Sequence, residues 1–119
     1  MRAALLTLAL VSCAPPVEGT YRMTMRRQRG SCDEYKEPIT VQVDAGRTMR
    51  LSSLSGGCPL TEAGDEWQSA CEVTGPGGRI GMLWSLSFDS KGFRGQLDQT
   101  ITVPGQVCTA VYPVSGERQ

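Results

Sequence analysis

At 119 residues the chain has room for one domain with a modest core, of a size that buries roughly 65% of the surface its unfolded chain would expose. Its 12 basic and 12 acidic side chains cancel, which excludes the overall positive field that holds nucleic acid or an anionic membrane surface. Histidine is absent, so the usual general base near neutral pH and the commonest metal ligand are both missing, while 14 Gly and 7 Pro against two Phe favour turns over long helices.

The chain opens with Met1-Arg2 and the apolar run Ala3–Val11. A membrane-spanning helix needs about 20 apolar residues, so this run is too short to remain in a bilayer and reads as an export signal. It ends in Leu10-Val11-Ser12-Cys13, which resembles the lipobox of bacterial lipoproteins. The resemblance implies that the Cys13 thiol is alkylated with diacylglycerol and that cleavage makes Cys13 the new N-terminus. Ala14, standing where Asp would retain such a protein at the inner membrane, implies transport to the outer membrane. An ordinary export signal with an incidental Cys13 is the alternative. Residues 1–12 are therefore expected to be a signal peptide, 13–18 a lipidated N-terminus and tether, and 19–119 a single β domain. Two or three acyl chains anchor durably, at about 0.8 kcal/mol per buried CH₂. The proline-containing tether Ala14–Glu18, at about 3 Å per residue, should hold the domain near the bilayer.

Beyond the tether, alternation with a period of two dominates. Tyr21, Met23 and Met25 alternate with Thr20, Arg22, Thr24 and Arg26; Ile39, Val41 and Val43 alternate with Thr40 and Gln42. After the turn Asp44-Ala45-Gly46, Met49 and Leu51 alternate with polar residues. Ser55–Glu66, rich in Gly and broken by Pro59, reads as a loop. Trp67, Ser69, Cys71 and Val73 then share one side of a strand, and Gly75-Pro76-Gly77-Gly78 is a turn. Ile80, Met82, Trp84, Leu86 and Phe88 form the clearest inward face. Asp89-Ser90-Lys91-Gly92 leads into a strand with Phe93, Leu97, Ile101 and Val103 inward, and Pro104-Gly105 turns into a last strand from Gln106 to about Tyr112. The fold class is thus all-β: a small antiparallel meander of about seven strands, closing into a barrel (or packed as a β-sandwich) and carrying two disulfides.

With Cys13 assigned to the lipid, Cys32, Cys58, Cys71 and Cys108 remain, an even number in an exported domain. No CxxC spacing occurs, which argues against zinc. Chain entropy does not choose between the pairings: about 3.5 and 4 kcal/mol for 32–58 with 71–108, against about 4.5 and 3 for 32–108 with 58–71. The up-and-down order places Cys32 and Cys58 at the same end and so favours Cys32–Cys58 with Cys71–Cys108.

Gly19-Thr20-Tyr21 resembles the G-x-W that opens the first strand of lipocalin and avidin-like barrels, with Tyr in place of Trp. The stretch Cys108–Arg118 resembles the tail of small uncharacterised lipoproteins from soil bacteria, which have no activity to carry over. Inward Met23, Trp67, Met82 and Trp84 are candidates to line a pocket, although a barrel of this size is usually filled by its own side chains. Arg22 and Arg26, with Asp65 and Glu66, are candidates for a binding surface. The acidic groups Asp33, Glu34 and Glu37, and Glu62, Asp65 and Glu66, do not follow an EF-hand pattern and read as solvated loop acids. A Ser or Cys nucleophile would have only Lys36 or Lys91 as a base, so no catalytic arrangement emerges, and neither a cofactor nor a metal is expected.

The expectation is a membrane-anchored envelope lipoprotein, not an enzyme, whose β domain binds or braces something. Its partner would be an envelope protein or a glycan, and its sharper form inhibition of an envelope protease or lysozyme, an analogy at the level of fold and location. The alternative is a carrier of a small apolar ligand in the barrel interior.

Overall fold

The computed structural model describes residues 14–52 and 56–119. The export signal, the lipobox with Cys13, and Ser55 lie outside the described residues. Among the described residues ten strands follow one another: β1 (Gly19–Met25), β2 (Arg29–Gly30), β3 (Ile39–Val43), β4 (Thr48–Leu51), β5 (Cys58–Pro59), β6 (Thr61–Ala63), β7 (Glu66–Gly75), β8 (Gly78–Phe88), β9 (Gly92–Val103) and β10 (Gln106–Arg118). All pair antiparallel in the order β5-β4-β3-β1-β10-β9-β8-β7-β6, and β2 adds to β10. Because only Leu60 separates β5 from β6, the two ends of this order meet and the sheet nearly closes into a barrel. Eight positions run round the ring, β5 and β6 sharing one of them.

The alternating sequence explains the core. Tyr21, Met23 and Met25 of β1, Val41 and Val43 of β3, and Met82, Trp84, Leu86 and Phe88 of β8 are all buried, with the residues between them mostly facing out. Tyr21, Phe88 and Phe93 form an aromatic group at one end, with ring centroids 5.3 to 6.2 Å apart. Two glycines let the backbone close round this packing. A Cβ on Gly116 would stand 2.3 Å from the Phe93 ring, and one on Gly95 would stand 1.9 Å from the Ser85 carbonyl oxygen.

Three expectations need correcting. The segment Ser55–Glu66 is not simply a loop, since β5 and β6 lie inside it and β7 begins at Glu66. Pro59 reads as a breaker, but on the short strand at the seam it is tolerated, as proline is at sheet edges. The last strand does not stop near Tyr112 but runs to Arg118, because Val114–Arg118 supplies the partner that β1 needs. Pro113 falls where β10 passes from β2 to β1, and its carbonyl accepts the Arg26 N–H at 3.3 Å.

The third correction is the disulfide pairing. The bridges are Cys32–Cys108 and Cys58–Cys71, with Cα atoms 5.1 and 5.5 Å apart. Cys32 and Cys58 do share an end of the barrel, but not a place on its rim. The chain leaving β2 stays beside β10, where the Ser31 N–H donates to the Thr109 carbonyl at 2.6 Å, and this sets Cys32 against Cys108. Closure of the ring brings β5 beside β7, so Cys58 meets Cys71 across the seam.

Candidate functional site

The two ends of the barrel differ. The lower end carries the start of β1, the β3–β4, β6–β7 and β8–β9 turns, and the C-terminus. Ala14–Glu18 lies against it: the Trp67 indole N–H donates to the Ala14 carbonyl at 2.7 Å and the Tyr21 hydroxyl to the Val17 carbonyl, and Pro16 and Val17 are half-buried. Trp and Tyr carry an apolar body with one polar handle that needs a partner when buried. Here the body fills the core and the handle reaches the N-terminal backbone. Arg47, in a left-handed turn conformation, lays its guanidinium 4.8 Å from the centre of the Trp67 ring. The expected tether is therefore docked on the barrel.

The upper end is open. There β7, β8, β9 and β10 extend beyond the shorter β1, β3 and β4, and their inner faces, buried lower down, are half-buried at Cys71 and Val73, at Ile80, at Ile101 and Val103, and at Cys108. Between Ile101 and Val103 of this lining and the segment Ser31–Tyr35 lies a cavity of about 430 Å³, bordered also by Gln106 and Cys108. The segment is held in place by the Cys32–Cys108 bridge, by the Tyr112 hydroxyl donating to the Asp33 carbonyl at 2.8 Å, and by Arg27, which donates to the Cys32 carbonyl at 2.7 Å and pairs with Glu34. Tyr35 packs edge-on against Tyr112 and shares a hydrogen bond with the buried amide of Gln99. Burial is the main cause raising the Tyr112 phenol to about 12, and burial also raises that of Tyr21.

The candidate pocket residues Met23, Trp67, Met82 and Trp84 are between 0 and 2% exposed and fill the barrel interior. The candidate surface residues are not brought together. Arg22 sits low on the outer face of β1 and Arg26 beyond its upper end, while Asp65 and Glu66 lie at the lower β6–β7 turn on another part of the ring. Asp33, Glu34 and Glu37 are exposed, and the first two border the upper cavity. Among the described residues, no group of three His, Cys, Asp or Glu is placed to hold a metal.

A larger concavity, about 550 Å³, lies outside the barrel near the seam, over Gln68, Ala70, Leu83, Ser85 and Gln96, with Leu83 58% exposed. Two buried polar atoms beneath it, Ser69 Oγ and Trp84 Nε1, have no hydrogen-bond partner among the described residues, and their strands place them directly opposite one another.

Sequence reading passed over Tyr35, Gln99 and the docked Ala14–Val17. The signal for Gln99 was present, since it takes an inward position in the alternation of β9. The tether gave no local signal, because its partners Tyr21 and Trp67 are distant in the chain. No family model, curated protein or solved structure matches the chain.

Proposed function

We propose that this chain is a lipid-anchored protein of the cell envelope whose barrel is a binding module, not a catalyst, and that it binds through its upper end. The observation that carries the reading is the contrast between the ends: residues 14–18 cover the lower one, while the upper one presents half-buried Val73, Ile80, Ile101 and Val103, the last two lining a cavity that exposed Asp33 and Glu34 border. Apolar surface ringed by polar groups is the usual composition of a protein-binding patch. A loop of an envelope protein carrying an apolar residue beside a basic one fits that lining. Inhibition of an envelope protease or lysozyme would be one use of such a contact. The carrier reading is weaker, because Met23, Trp67, Met82 and Trp84 occupy the interior where a ligand would sit.

Two measurements test this. Intact mass of the membrane-extracted protein is expected to match a chain beginning at acylated Cys13 and to rise by four hydrogens on reduction of its two bridges. A photo-crosslinking residue placed at Val103 or Gln106 should yield adducts with an envelope protein in living cells, and one at Ser87, low on the outer wall, should not. Adducts at Ser87 alone would defeat the choice of the upper end. An unacylated, soluble protein would defeat the anchor.

A further inference from the structure

We infer that the docked N-terminal segment fixes how the barrel stands on the membrane, with its lower rim against the lipid surface and its upper end pointing away from it. The inference rests on the anchored reading above and adds an orientation to it. Consecutive Cα atoms are about 3.8 Å apart, so a lipid carried by Cys13 is one residue from a point tied to the barrel wall. That point is Ala14, whose carbonyl accepts the indole N–H of Trp67, a side chain 2% exposed in the core. Three residues on, the Val17 carbonyl accepts from Tyr21, which is fully buried. These two ties come from opposite arms of the ring, β7 and β1, so Ala14–Val17 crosses the lower end and does not pivot about a single contact.

The usable leash is therefore one residue, not the six from Cys13 to Glu18. A lipid seated in the bilayer must draw the lower rim to the headgroups, and the acyl chains leave little freedom to roll the barrel onto its side. Charge does not produce this arrangement. The lower turns and terminus carry Asp44, Asp65, Glu66 and Asp89 against Arg47, Lys91 and Arg118, so the rim has no surplus of positive charge to hold anionic lipid by itself. The lower rim is thus a lipid-facing surface through its tether, and the cavity bordered by Tyr35, Ile101 and Val103 is delivered to the far side.

Dye labels at the two ends of β8 read the orientation directly. Ser90→Cys lies in the lower β8–β9 turn, and Gly77→Cys lies in the upper β7–β8 turn, where a side chain meets no neighbour within 4 Å. The 11 residues of β8 separate the labels by about 25–35 Å along the barrel axis, allowing for strand tilt. Full-length lipidated protein is placed in vesicles of phosphatidylethanolamine and phosphatidylglycerol with an energy acceptor on the headgroups. The label at position 90 should lose most of its emission and the label at 77 should keep most of its own. A Gly-Ser insertion between residues 13 and 14 lengthens the leash without touching the barrel, and should bring the two labels to similar quenching. Equal quenching in the lipidated protein without the insertion would overturn the orientation alone. Unequal quenching that survives the insertion would overturn the role of the short leash. A mass lacking the acyl group would instead overturn the anchored reading beneath it.

Discussion

Removing each disulfide in turn separates the effect of loop length from the effect of the seam. Cys32–Cys108 closes a separation of 76 residues and Cys58–Cys71 one of 13. With the logarithmic dependence of denatured-chain entropy on loop length, these are worth about 4.5 and about 3 kcal/mol. Both figures are large against the roughly 5–15 kcal/mol by which a domain is stable. The double variant Cys32→Ala/Cys108→Ala should therefore be less stable than Cys58→Ala/Cys71→Ala by about 1.5 kcal/mol. At about 4–8 °C per kcal/mol for a domain near this size, it should melt about 6–12 °C lower. Calorimetry or thermal circular dichroism of the two variants measures this difference. A tryptic digest of the non-reduced native protein checks the pairing first. Cleavage after Arg29, Lys36, Arg50, Arg79, Arg94 and Arg118 leaves Cys32 on peptide 30–36, Cys58 and Cys71 together on 51–79, and Cys108 on 95–118. The observed pairing joins 30–36 to 95–118 and leaves 51–79 unattached, whereas either other pairing joins all three. A three-peptide species would refute the pairing. A correct digest followed by a lower melting point for the Cys58/Cys71 variant would refute the loop-length reasoning, and would assign the larger share to the closure of β5 against β7.

Three further outcomes follow from the packing and the buried polar groups. Gly95→Ala forces a methyl to within 1.9 Å of the Ser85 carbonyl oxygen, so β8 and β9 must part, and a loss of about 1–3 kcal/mol is expected in urea unfolding. Ser69→Ala removes a buried hydroxyl that has no partner, so stability should be unchanged or higher, and a loss of more than about 1 kcal/mol would show that the hydroxyl is hydrogen-bonded after all. Tyr112, raised to about 12, and Tyr21, also raised, stay neutral in the folded state at a pH where the unfolded chain has begun to ionise. Their contribution is complete below about pH 10 and is lost as the pH climbs through about 12, so the urea midpoint should fall across that window, and phenolate absorbance should appear later in folded than in denatured protein. A flat midpoint from pH 9.5 to 11.5 would contradict this.

How much was legible in the sequence follows from how far each feature reaches along the chain. The inward faces of β1, β8 and β9 are local facts, because successive side chains of a strand point to opposite sides and an apolar residue at every second position has one place to go. Tyr21 with Met23, and Met82 through Phe88, could therefore be assigned to the core from the residues alone, and the all-β class follows from them. The even count of cysteines left after Cys13 likewise speaks of two bridges without any coordinates. Which cysteines pair depends instead on which strands become neighbours round the ring, and that is settled by closure at Leu60, where β5 meets β7. The strands at Cys58–Ala63 exist because β4 and β7 offer them partners, and β10 continues past Pro113 because β1 requires one; neither segment has enough intrinsic preference to be read as strand by itself. The same holds at the lower rim. Ala14–Val17 is an ordinary proline-rich tether until the fold carries the Trp67 and Tyr21 donors to it, since a buried indole or phenol must find an acceptor wherever tertiary packing places it.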